Sequence, residues 1–334
     1  MSEPNSPIPT STLEYYHALP VPEWTPPPPR YWLHALLLVA TCFTTLVVGA
    51  RMEFNFLNNL PPFAAGDETL PFFPIGWIVA HPSRLLLGIP FSATLLVILL
   101  AHEMGHYLLC RYYNVRATLP FFIPAPTLIG TLGAVIRIKS PIRSRAALFD
   151  IGIAGPIAGF VVAITTLAVS LMLSKPLSPR VGPSDIQLGF PEIFYLMHRL
   201  LHAVAPAHPI ASLPLSRVYL HPTAVAAWVG MFATALNLLP SSQLDGGHIV
   251  FSVAPRLHKL VSWLTVFVLL YLGRIYVGWR VWAGLLVLMN LITFRQQQAP
   301  DYPPLPLSRW PLALFALIML ALTFTISPFQ MLWH

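Results

Sequence analysis

Charged residues are scarce in this chain. They make up 9% of its 334 residues, whereas hydrophobic residues make up 56%, and ordinary soluble domains carry roughly 25% charged residues. The mean hydropathy is +0.67. This composition predicts an integral membrane protein in a lipid bilayer. The net charge of +7 is therefore interpreted as the excess of Lys and Arg that marks cytoplasmic loops.

Cysteines and dense basic runs are also rare. The two cysteines, Cys42 and Cys110, lie in apolar segments, so we expect neither a disulfide framework nor a thiolate metal site. The lack of a basic helix argues against nucleic acid as a partner. Residues 1–29 contain no Lys or Arg, unlike the start of a secretory signal. Their many prolines predict a disordered cytoplasmic tail.

Long apolar runs dominate the rest of the chain. A membrane-spanning helix needs about 20 mostly apolar residues. Such runs occur at 31–50, 85–110, 147–173, 222–240, 258–275, 277–295 and 309–328. We therefore expect an all-α polytopic membrane protein with six or seven transmembrane helices.

The charges of one loop indicate which ends of the spans share a side. Residues 111–146 contain six basic residues and no acidic one, which predicts a cytoplasmic loop. The motif "HEMGH" lies just before this loop. Two crossings later the chain returns to the same side at "NLLPSSQLDGG". His102 and Asp245 are therefore expected at similar depth, near the cytoplasmic face.

The motif "HEMGH" has the pattern H-E-x-x-H. His102 and His106 are four residues apart, so both imidazoles project from one helical face and can bind one ion. Glu103 is rotated by about 100° from His102 on the helical wheel, so it can act on a water molecule without being a ligand. Two histidines leave the ion undercoordinated, because catalytic zinc usually has three protein ligands. With Glu103 as base, this chemistry is peptide-bond hydrolysis.

Asp245 is the best candidate for the third ligand. Of the 12 acidic residues, only Glu103, Asp150 and Asp245 lie within or beside a predicted span, and Asp150 is explained by its interfacial position. The sequence "LDGG" predicts flexible backbone that can turn a carboxylate back toward the metal. Two simpler roles stay open: Asp245 as a helix N-cap, and Asn237 as an interhelical hydrogen-bonding residue.

Other polar residues have simpler explanations. His198 and His202 also have i, i+4 spacing, with His208 beyond, but they fall in the loop on the opposite face. Their segment is typical of an amphipathic helix on the membrane surface. His248 is either a partner of the site or an interfacial residue. Close helix packing is the expected role of three residues in "AGPIAGF", which are Gly155, Pro156 and Gly159.

These motifs resemble the site-2 protease family of intramembrane zinc metalloproteases, peptidase family M50. The resemblance rests on "HEMGH" and on Asn237, Pro240, Leu244, Asp245 and Gly246 of "NLLPSSQLDGG". Residues 129–160 are similar to the branch that includes plastid and cyanobacterial members. Many bacterial members carry a PDZ domain between the motifs. The 174–221 loop is too short for one, and no regulatory domain is expected after the last span.

The resemblance implies a catalytic core of three spans that binds one zinc ion through His102, His106 and Asp245. It implies that Glu103 activates water and that Asn237 holds the substrate strand or the developing oxyanion. It further implies a re-entrant or β-hairpin element at 117–140. The expected substrate is a transmembrane protein, cut within or near its membrane segment. The resemblance leaves the oligomeric state open.

The expected organisation has four parts. Residues 1–29 form the tail, 30–84 the first transmembrane helix and an extracytoplasmic loop, 85–250 the catalytic membrane core, and 251–334 the C-terminal transmembrane helices. The expected location is the bacterial inner membrane.

Two rival hypotheses on the function remain. One is a membrane zinc protease of the prenyl-protein or quality-control type, which takes its third ligand from a later Glu; the only candidate is Glu192, on the opposite face. The other is a non-catalytic zinc-binding scaffold.

Overall fold

The computed structural model of the chain describes residues 30–63, 70–71, 73–178, 186–296 and 303–331. The predicted tail at 1–29 lies outside these ranges. The described chain is mostly helical, and its described residues from Trp32 onward belong to one compact unit. Its helices are α1 (Tyr31–Asn58), α2 (Ile75–Ala80), α3 (Ile89–Tyr112), α4 (Arg145–Leu173), α5 (Glu192–Val204), α6 (Pro222–Asn237), α7 (Asp245–Val253), α8 (Pro255–Leu272), α9 (Gly278–Gln296) and α10 (Trp310–Thr323).

Short 3₁₀ helices and strands complete the described structure. The 3₁₀ helices are Pro82–Gly88, Leu215–Arg217 and Leu307–Arg309. The strands are β1 (Phe121–Pro124), β2 (Thr131–Val135), β3 (Lys175–Pro176), β4 (Ile186–Leu188), β5 (Val218–Tyr219) and β6 (Phe329–Met331). They form three antiparallel pairs, β1 with β2, β3 with β5 and β4 with β6.

Three helical segments in the described chain are long and apolar enough to cross a membrane. They are Tyr31–Asn58, Pro82–Tyr112 and Arg145–Leu173, and shorter apolar helices occur at Gly278–Ile292 and Leu307–Thr323. Helix α6 has 16 residues, a length of about 24 Å at 1.5 Å per residue. Most of its side chains are buried by neighbouring helices. The expected count of six or seven spans stays a prediction.

Helices α3, α4 and α6 pack closely around the core. A β carbon at Gly105 of α3 would lie 2.5 Å from the Ala154 carbonyl oxygen of α4, and one at Gly230 of α6 would lie 2.5 Å from the Ile98 side chain. Both glycines therefore permit backbone approaches that a larger residue would block. Fully buried side chains such as Phe91 fill the core between the helices.

Local sequence signals explain where two of the core helices begin. The Ser144 hydroxyl accepts a hydrogen bond from the Ala147 N–H at 3.0 Å and caps α4. His221 precedes α6, and its ring accepts a bond from the Thr223 N–H at 3.3 Å. Pro222 takes the first position of α6, where the missing N–H has no intrahelical partner to lose. These caps determine where each helix enters the core.

The antiparallel hairpin of β1 and β2 lies within the range expected for such an element, 117–140. Phe121 pairs with Val135, and the turn between the strands contains Gly130, whose φ is +78°. Helix α1 holds this hairpin at two points. The His34 ring stacks on Phe121 with centroids 3.9 Å apart, and the Thr44 hydroxyl donates to the Gly130 carbonyl at 2.6 Å. A re-entrant position of the hairpin in the bilayer stays a prediction.

A polar cluster ties the other end of α1 to the core. The Lys175 ammonium donates a hydrogen bond to the Phe56 carbonyl and lies 4.3 Å from the Phe56 ring centroid. His221 Nε2 lies 3.7 Å from a Glu53 carboxylate oxygen. Burial lowers the pKa of Lys175, and the nearby Glu53 carboxylate opposes that shift. The cluster therefore joins α1 to the segments that follow α4 and precede α6.

Candidate metal and catalytic centre

Helix α3 presents two histidines and a glutamate to the interior. His102 and His106 are one turn apart, and their Nε2 atoms are 3.2 Å from each other. Their exposed fractions are 6% and 7%, and that of Glu103 is 6%. Such burial of polar side chains in an apolar helix is costly unless a partner compensates for it.

Asp245 meets both imidazoles from the start of α7. One of its carboxylate oxygens, Oδ2, lies 3.3 Å from Nε2 of His102 and 3.3 Å from Nε2 of His106. Asp245 is the first residue of α7, the N-cap position belongs to Leu244, and no side-chain capping bond forms. The carboxylate therefore faces the histidines and does not cap the helix.

The loop between α6 and α7 is unusually compact. A β carbon at Gly246 would lie 2.1 Å from the Leu238 carbonyl oxygen, and one at Gly247 would lie 2.3 Å from the Ser242 carbonyl oxygen. Ser242 itself has a φ of +52°, a conformation that is uncommon for a residue with a side chain. The two glycines of "LDGG" thus let the chain fold back tightly and aim Asp245 inward.

Helix α8 supports this loop through polar contacts. The Ser262 hydroxyl accepts from the Ser242 N–H at 3.3 Å, and His258 Nε2 lies 3.2 Å from the Ser242 carbonyl. The Thr265 hydroxyl donates to the Pro240 carbonyl at 3.3 Å. Backbone groups away from water need such partners. Helix α8 therefore supplies hydrogen-bond partners for backbone groups of this irregular loop.

His106 is oriented by the backbone of α4. Its Nδ1 lies 2.7 Å from the Ile151 carbonyl oxygen, and the carbonyl can only accept. His106 therefore carries a proton on Nδ1 in this contact, and Nε2 is the ring nitrogen that faces the Asp245 carboxylate. A histidine that binds a metal through one ring nitrogen typically donates its other N–H to such an oxygen.

Two glycines of α4 make room for the imidazoles. A β carbon at Gly155 would fall 2.1 Å from His106 Nε2, and one at Gly159 would fall 3.1 Å from His102 Cβ. The packing role expected for these glycines is thus specific, because the side chains that pack on them are the two histidines. Pro156 lies inside α4, between these contacts.

The donor set fits a divalent zinc ion. One atom from each of His102, His106 and Asp245 lies within 4.8 Å of the others. Two imidazole nitrogens and one carboxylate oxygen are ligands that zinc accepts, and three protein ligands leave a fourth position open for water or substrate. Their convergence also explains why the partly buried Asp245 carboxylate lies beside two imidazoles.

A cavity of about 250 Å³ opens beside these donors. Glu103 lines it and stands in hydrogen-bonding reach of the Ile136 backbone, just past the end of β2. Asn237 lines it from the end of α6 and places its side-chain amide 3.2 Å from His102 Nε2. His248 lines it from α7. The three donor side chains, the Glu103 carboxyl group and the Asn237 amide thus line the same cavity.

The structure gives the competing histidines other partners. His198 Nε2 lies 2.9 Å from the Ile210 carbonyl, and His208 Nε2 lies 3.1 Å from the Met172 carbonyl. Neither they nor His202 lines the cavity at the metal donors. Glu192, the ligand that the rival protease class requires, is an exposed residue at the start of α5. These side chains therefore do not compete for the central position.

Asp150 forms an ion cluster outside the cavity. Its two carboxylate oxygens accept bonds from Arg309 at 2.8 and 2.7 Å, and the Tyr113 hydroxyl donates to it as well. The cluster joins α3, α4 and the segment before α10. Sequence reasoning missed Arg309, because nothing local marks a partner 159 positions away. It also missed the Ile151 carbonyl, since backbone groups leave no trace in a motif.

Comparison with known proteins agrees with this geometry. The sequence profile of peptidase family M50 matches residues 90–274, a range that includes all three donors. The chain is 30% identical over 318 residues to "Probable zinc metalloprotease EGY1, chloroplastic" of Arabidopsis thaliana, covering 91% of this chain and 54% of the relative. It is 31% identical over 252 residues to the EGY1 protein of Oryza sativa subsp. japonica, covering 73% and 41%.

A third relative is "Probable zinc metalloprotease EGY2, chloroplastic" of Arabidopsis thaliana, 31% identical over 172 residues and covering 51% of this chain and 29% of the relative. The chain spans about half the length of the curated relatives it matches first. Their chloroplast location gives no support to the bacterial inner membrane expected from the sequence. The family match over more than half of the chain is decisive for identity: the protein belongs to peptidase family M50, the site-2 protease family, in the branch without a PDZ insertion.

Proposed function

We propose that this protein is a zinc metalloprotease that hydrolyses peptide bonds within or near transmembrane segments of other membrane proteins. The observation that carries the proposal is the convergence of His102, His106 and Asp245 beside Glu103 in one cavity. The location of these groups on an apolar, membrane-capable helix favours a substrate that also lies in the membrane. The names of the plant relatives, zinc metalloproteases, agree with this class of activity.

The proposed ligands of the zinc ion are the two imidazole Nε2 atoms and the Asp245 carboxylate. When bound, zinc supplies Lewis-acid chemistry, which makes water more acidic and polarises a carbonyl. Glu103 has the position of the general base. It lines the cavity without joining the donor set, so its carboxylate is free to accept a proton from the attacking water. The same group then delivers that proton to the leaving amine.

Asn237 is proposed to hold the substrate at the reacting bond. Its amide lies beside His102 at the edge of the donor set. A side-chain amide at this position can donate a hydrogen bond to the oxygen that gains negative charge during the reaction.

The hairpin is proposed to hold the unwound substrate. A helix must be opened before its peptide bonds can be attacked, and its freed backbone groups then need partners. Among the strands of the described chain, β2 pairs with β1 alone, and Ala134 and Val135 of β2 line the cavity. An extended substrate segment can therefore add to the free edge of β2.

A re-entrant position of the hairpin is supported by its contact with α1. Gly130 at the turn contacts Thr44, which lies inside the apolar helix Tyr31–Asn58. The start of the hairpin contacts His34 near the beginning of the same helix. Because these two contacts are ten residues apart on α1, the hairpin runs about 15 Å along the helix axis.

The proposed orientation has residues 111–146 on the cytoplasmic side or its equivalent in an organelle. Its support is the six basic residues and the lack of acidic ones in this segment, the pattern typical of a cytoplasmic loop. Labelling of single cysteines placed in this segment, with Cys42 and Cys110 replaced, tests the orientation. Labelling from the opposite side would overturn it.

Two rivals make different predictions. A prenyl-protein or quality-control protease would need a later Glu, but Glu192 is exposed on α5 and the corresponding place is held by Asp245. A zinc-binding scaffold would not need Glu103.

We therefore propose to compare the membrane proteomes of cells that carry the wild-type chain, Glu103→Gln or Glu192→Gln. Uncut membrane stubs are expected to accumulate only with Glu103→Gln. Stubs in neither variant, or equally in both, would refute the protease proposal.

A further inference from the structure

A second cavity, of about 470 Å³, lies outside the proposed catalytic site. Its walls come from the residues just after α3 and just before or within the start of α4. Arg116 lies on one wall, and Ser140, Arg143 and Ser144 lie on another. Val115 and Ala147 add apolar surface. Nothing in the proposed proteolytic reaction uses this cavity.

The cavity lies between the ends of two membrane-capable segments. The two membrane-capable segments around it end at Tyr112 and begin at Arg145. Residues immediately beyond the apolar part of a span lie in the interfacial layer of the bilayer. Tyr112 itself is 75% exposed, and tyrosine is enriched at this level. With these two segments spanning the bilayer as proposed above, the cavity faces the region where phosphate groups of lipids are found.

The charge around the cavity is positive and unpaired. The loop 111–146 contains six basic residues and no acidic one. None of the six forms an ion pair with any residue in the part of the chain that the structure describes. Asp150, the acidic residue early in α4, is already bound by Arg309. The positive charges of the Arg116 and Arg143 guanidinium groups are therefore available to bind an anion.

Two hydroxyl groups in the cavity have a hydrogen left to donate. The Ser140 hydroxyl accepts a hydrogen bond from the backbone N–H of Arg116 at 2.8 Å. The Ser144 hydroxyl accepts one from the backbone N–H of Ala147 at 3.0 Å. Because each oxygen acts as acceptor in its bond, its own hydrogen remains available. A phosphate group offers acceptor oxygens only. Two guanidinium groups and two hydroxyl donors are a fitting set for it.

We propose that this cavity binds the phosphodiester headgroup of an anionic membrane lipid. The lipid is favoured over an acidic protein segment because the cavity lies at headgroup depth. The last turns of α3, just before the cavity, expose apolar surface, where Leu108 is 57% exposed. The acyl chains would lie along this surface while the phosphate is held by Arg116 and Arg143.

The bound headgroup would also support the wall of the catalytic cavity. Ile138 and Ile142 line the catalytic cavity, whereas Ser140 and Arg143, in the same segment, line the second one. One stretch of chain therefore separates the two spaces. A lipid that fixes one side of this stretch holds the other side in place. This consequence rests on the proposed protease function, but the binding itself does not.

The test compares two charge-matched variants of the full chain, Arg116→Gln/Arg143→Gln at the cavity and Arg111→Gln/Arg137→Gln outside it. Each protein is reconstituted in phosphatidylcholine vesicles that contain a minor fraction of phosphatidylglycerol, and the phosphatidylglycerol retained after purification is measured by mass spectrometry. We expect the cavity pair to lose about tenfold more retained lipid than the outside pair, because it loses direct contacts as well as general attraction. Zinc content of both variants checks the fold.

A milder variant and a competitor complete the test. Ser140→Ala keeps all charges, and we expect it to lower lipid retention severalfold. Equal losses in the two arginine pairs would mean diffuse attraction and would overturn the proposal. Displacement of phosphatidylglycerol by millimolar inorganic phosphate would overturn the lipid assignment in favour of free phosphate. If the Arg116→Gln/Arg143→Gln variant retained as much lipid as the wild-type protein, the lipid site would be excluded, even if proteolysis changed. If this variant lost lipid but cleaved its substrate normally, lipid binding would be supported and its effect on the catalytic cavity would be refuted.

Discussion

Gly155 of α4 lies directly against the imidazole of His106, so that a β carbon built on it would fall 2.1 Å from Nε2. The ring therefore occupies space that any other residue at 155 would take. His106 is at the same time bonded through Nδ1 to the Ile151 carbonyl, one turn earlier in α4. Helix α4 thus contributes no donor atom to the proposed zinc site, yet it determines where one ligand can stand.

Gly155→Ala is expected to lower the zinc affinity of the purified protein by up to about 100-fold, because the new methyl group displaces the imidazole of a proposed ligand. Gly159→Ala should lower zinc affinity less, within about tenfold, because a β carbon at residue 159 would lie 3.1 Å from His102 Cβ. Gly284→Ala is the control, since nothing lies within 4 Å of its β carbon. Zinc content is measured by elemental analysis and chelator competition. Equal zinc in Gly155→Ala and Gly284→Ala would refute the packing argument.

Asp245→Asn is expected to lower zinc affinity by about two orders of magnitude, because it keeps the shape of the side chain but removes the anionic donor. Asp150→Asn is the matched control. Asp150 belongs to the cluster with Arg309 and does not line the catalytic cavity, so this variant should keep its zinc. The measurement is metal content per protein after dialysis against a graded chelator. Full zinc in Asp245→Asn would remove Asp245 from the ligand set.

Asn237→Ala is expected to lower kcat by roughly 10²–10³-fold with unchanged zinc content, the loss typical of an oxyanion donor. The assay is cleavage of a transmembrane substrate in proteoliposomes. Gln243→Ala is the control, because Gln243 is an exposed polar residue that lines the same cavity. An effect of Asn237→Ala on KM alone would assign Asn237 to substrate binding. Loss of zinc would assign it to support of His102.

Arg309→Gln is expected to destabilise the folded protein by roughly 1–2 kcal/mol, since the two hydrogen bonds to the Asp150 carboxylate are charge-assisted but partly exposed. Arg309→Lys should be intermediate, because lysine cannot bind both oxygens in the same way. Arg217→Gln changes an exposed arginine and serves as control. Thermal unfolding in detergent gives the comparison. Equal melting temperatures for the three variants would show that the cluster contributes no stability.

The positions of the long helices and the spacing of the candidate site residues follow from the sequence alone. Scarce charge and long apolar runs predict the helices, and the observed segments Tyr31–Asn58 and Arg145–Leu173 extend or match the predicted runs at 31–50 and 147–173. The spacing in "HEMGH" places His102 and His106 on one face, because four residues make about one helical turn. These inferences succeed because they depend only on neighbours along the chain.

The tertiary structure decides which distant groups meet. Asp245 reaches both histidines only because α3, α4 and α6 pack closely and the loop before α7 folds back on itself. The same packing turns Gly155 into a contact of His106 and pairs Asp150 with Arg309. Neither relationship has a local signature, since each depends on the distance between helices. The sequence by itself determined the kind of chemistry and the length of its helices, whereas the packing of those helices decided which atoms surround the proposed metal ion.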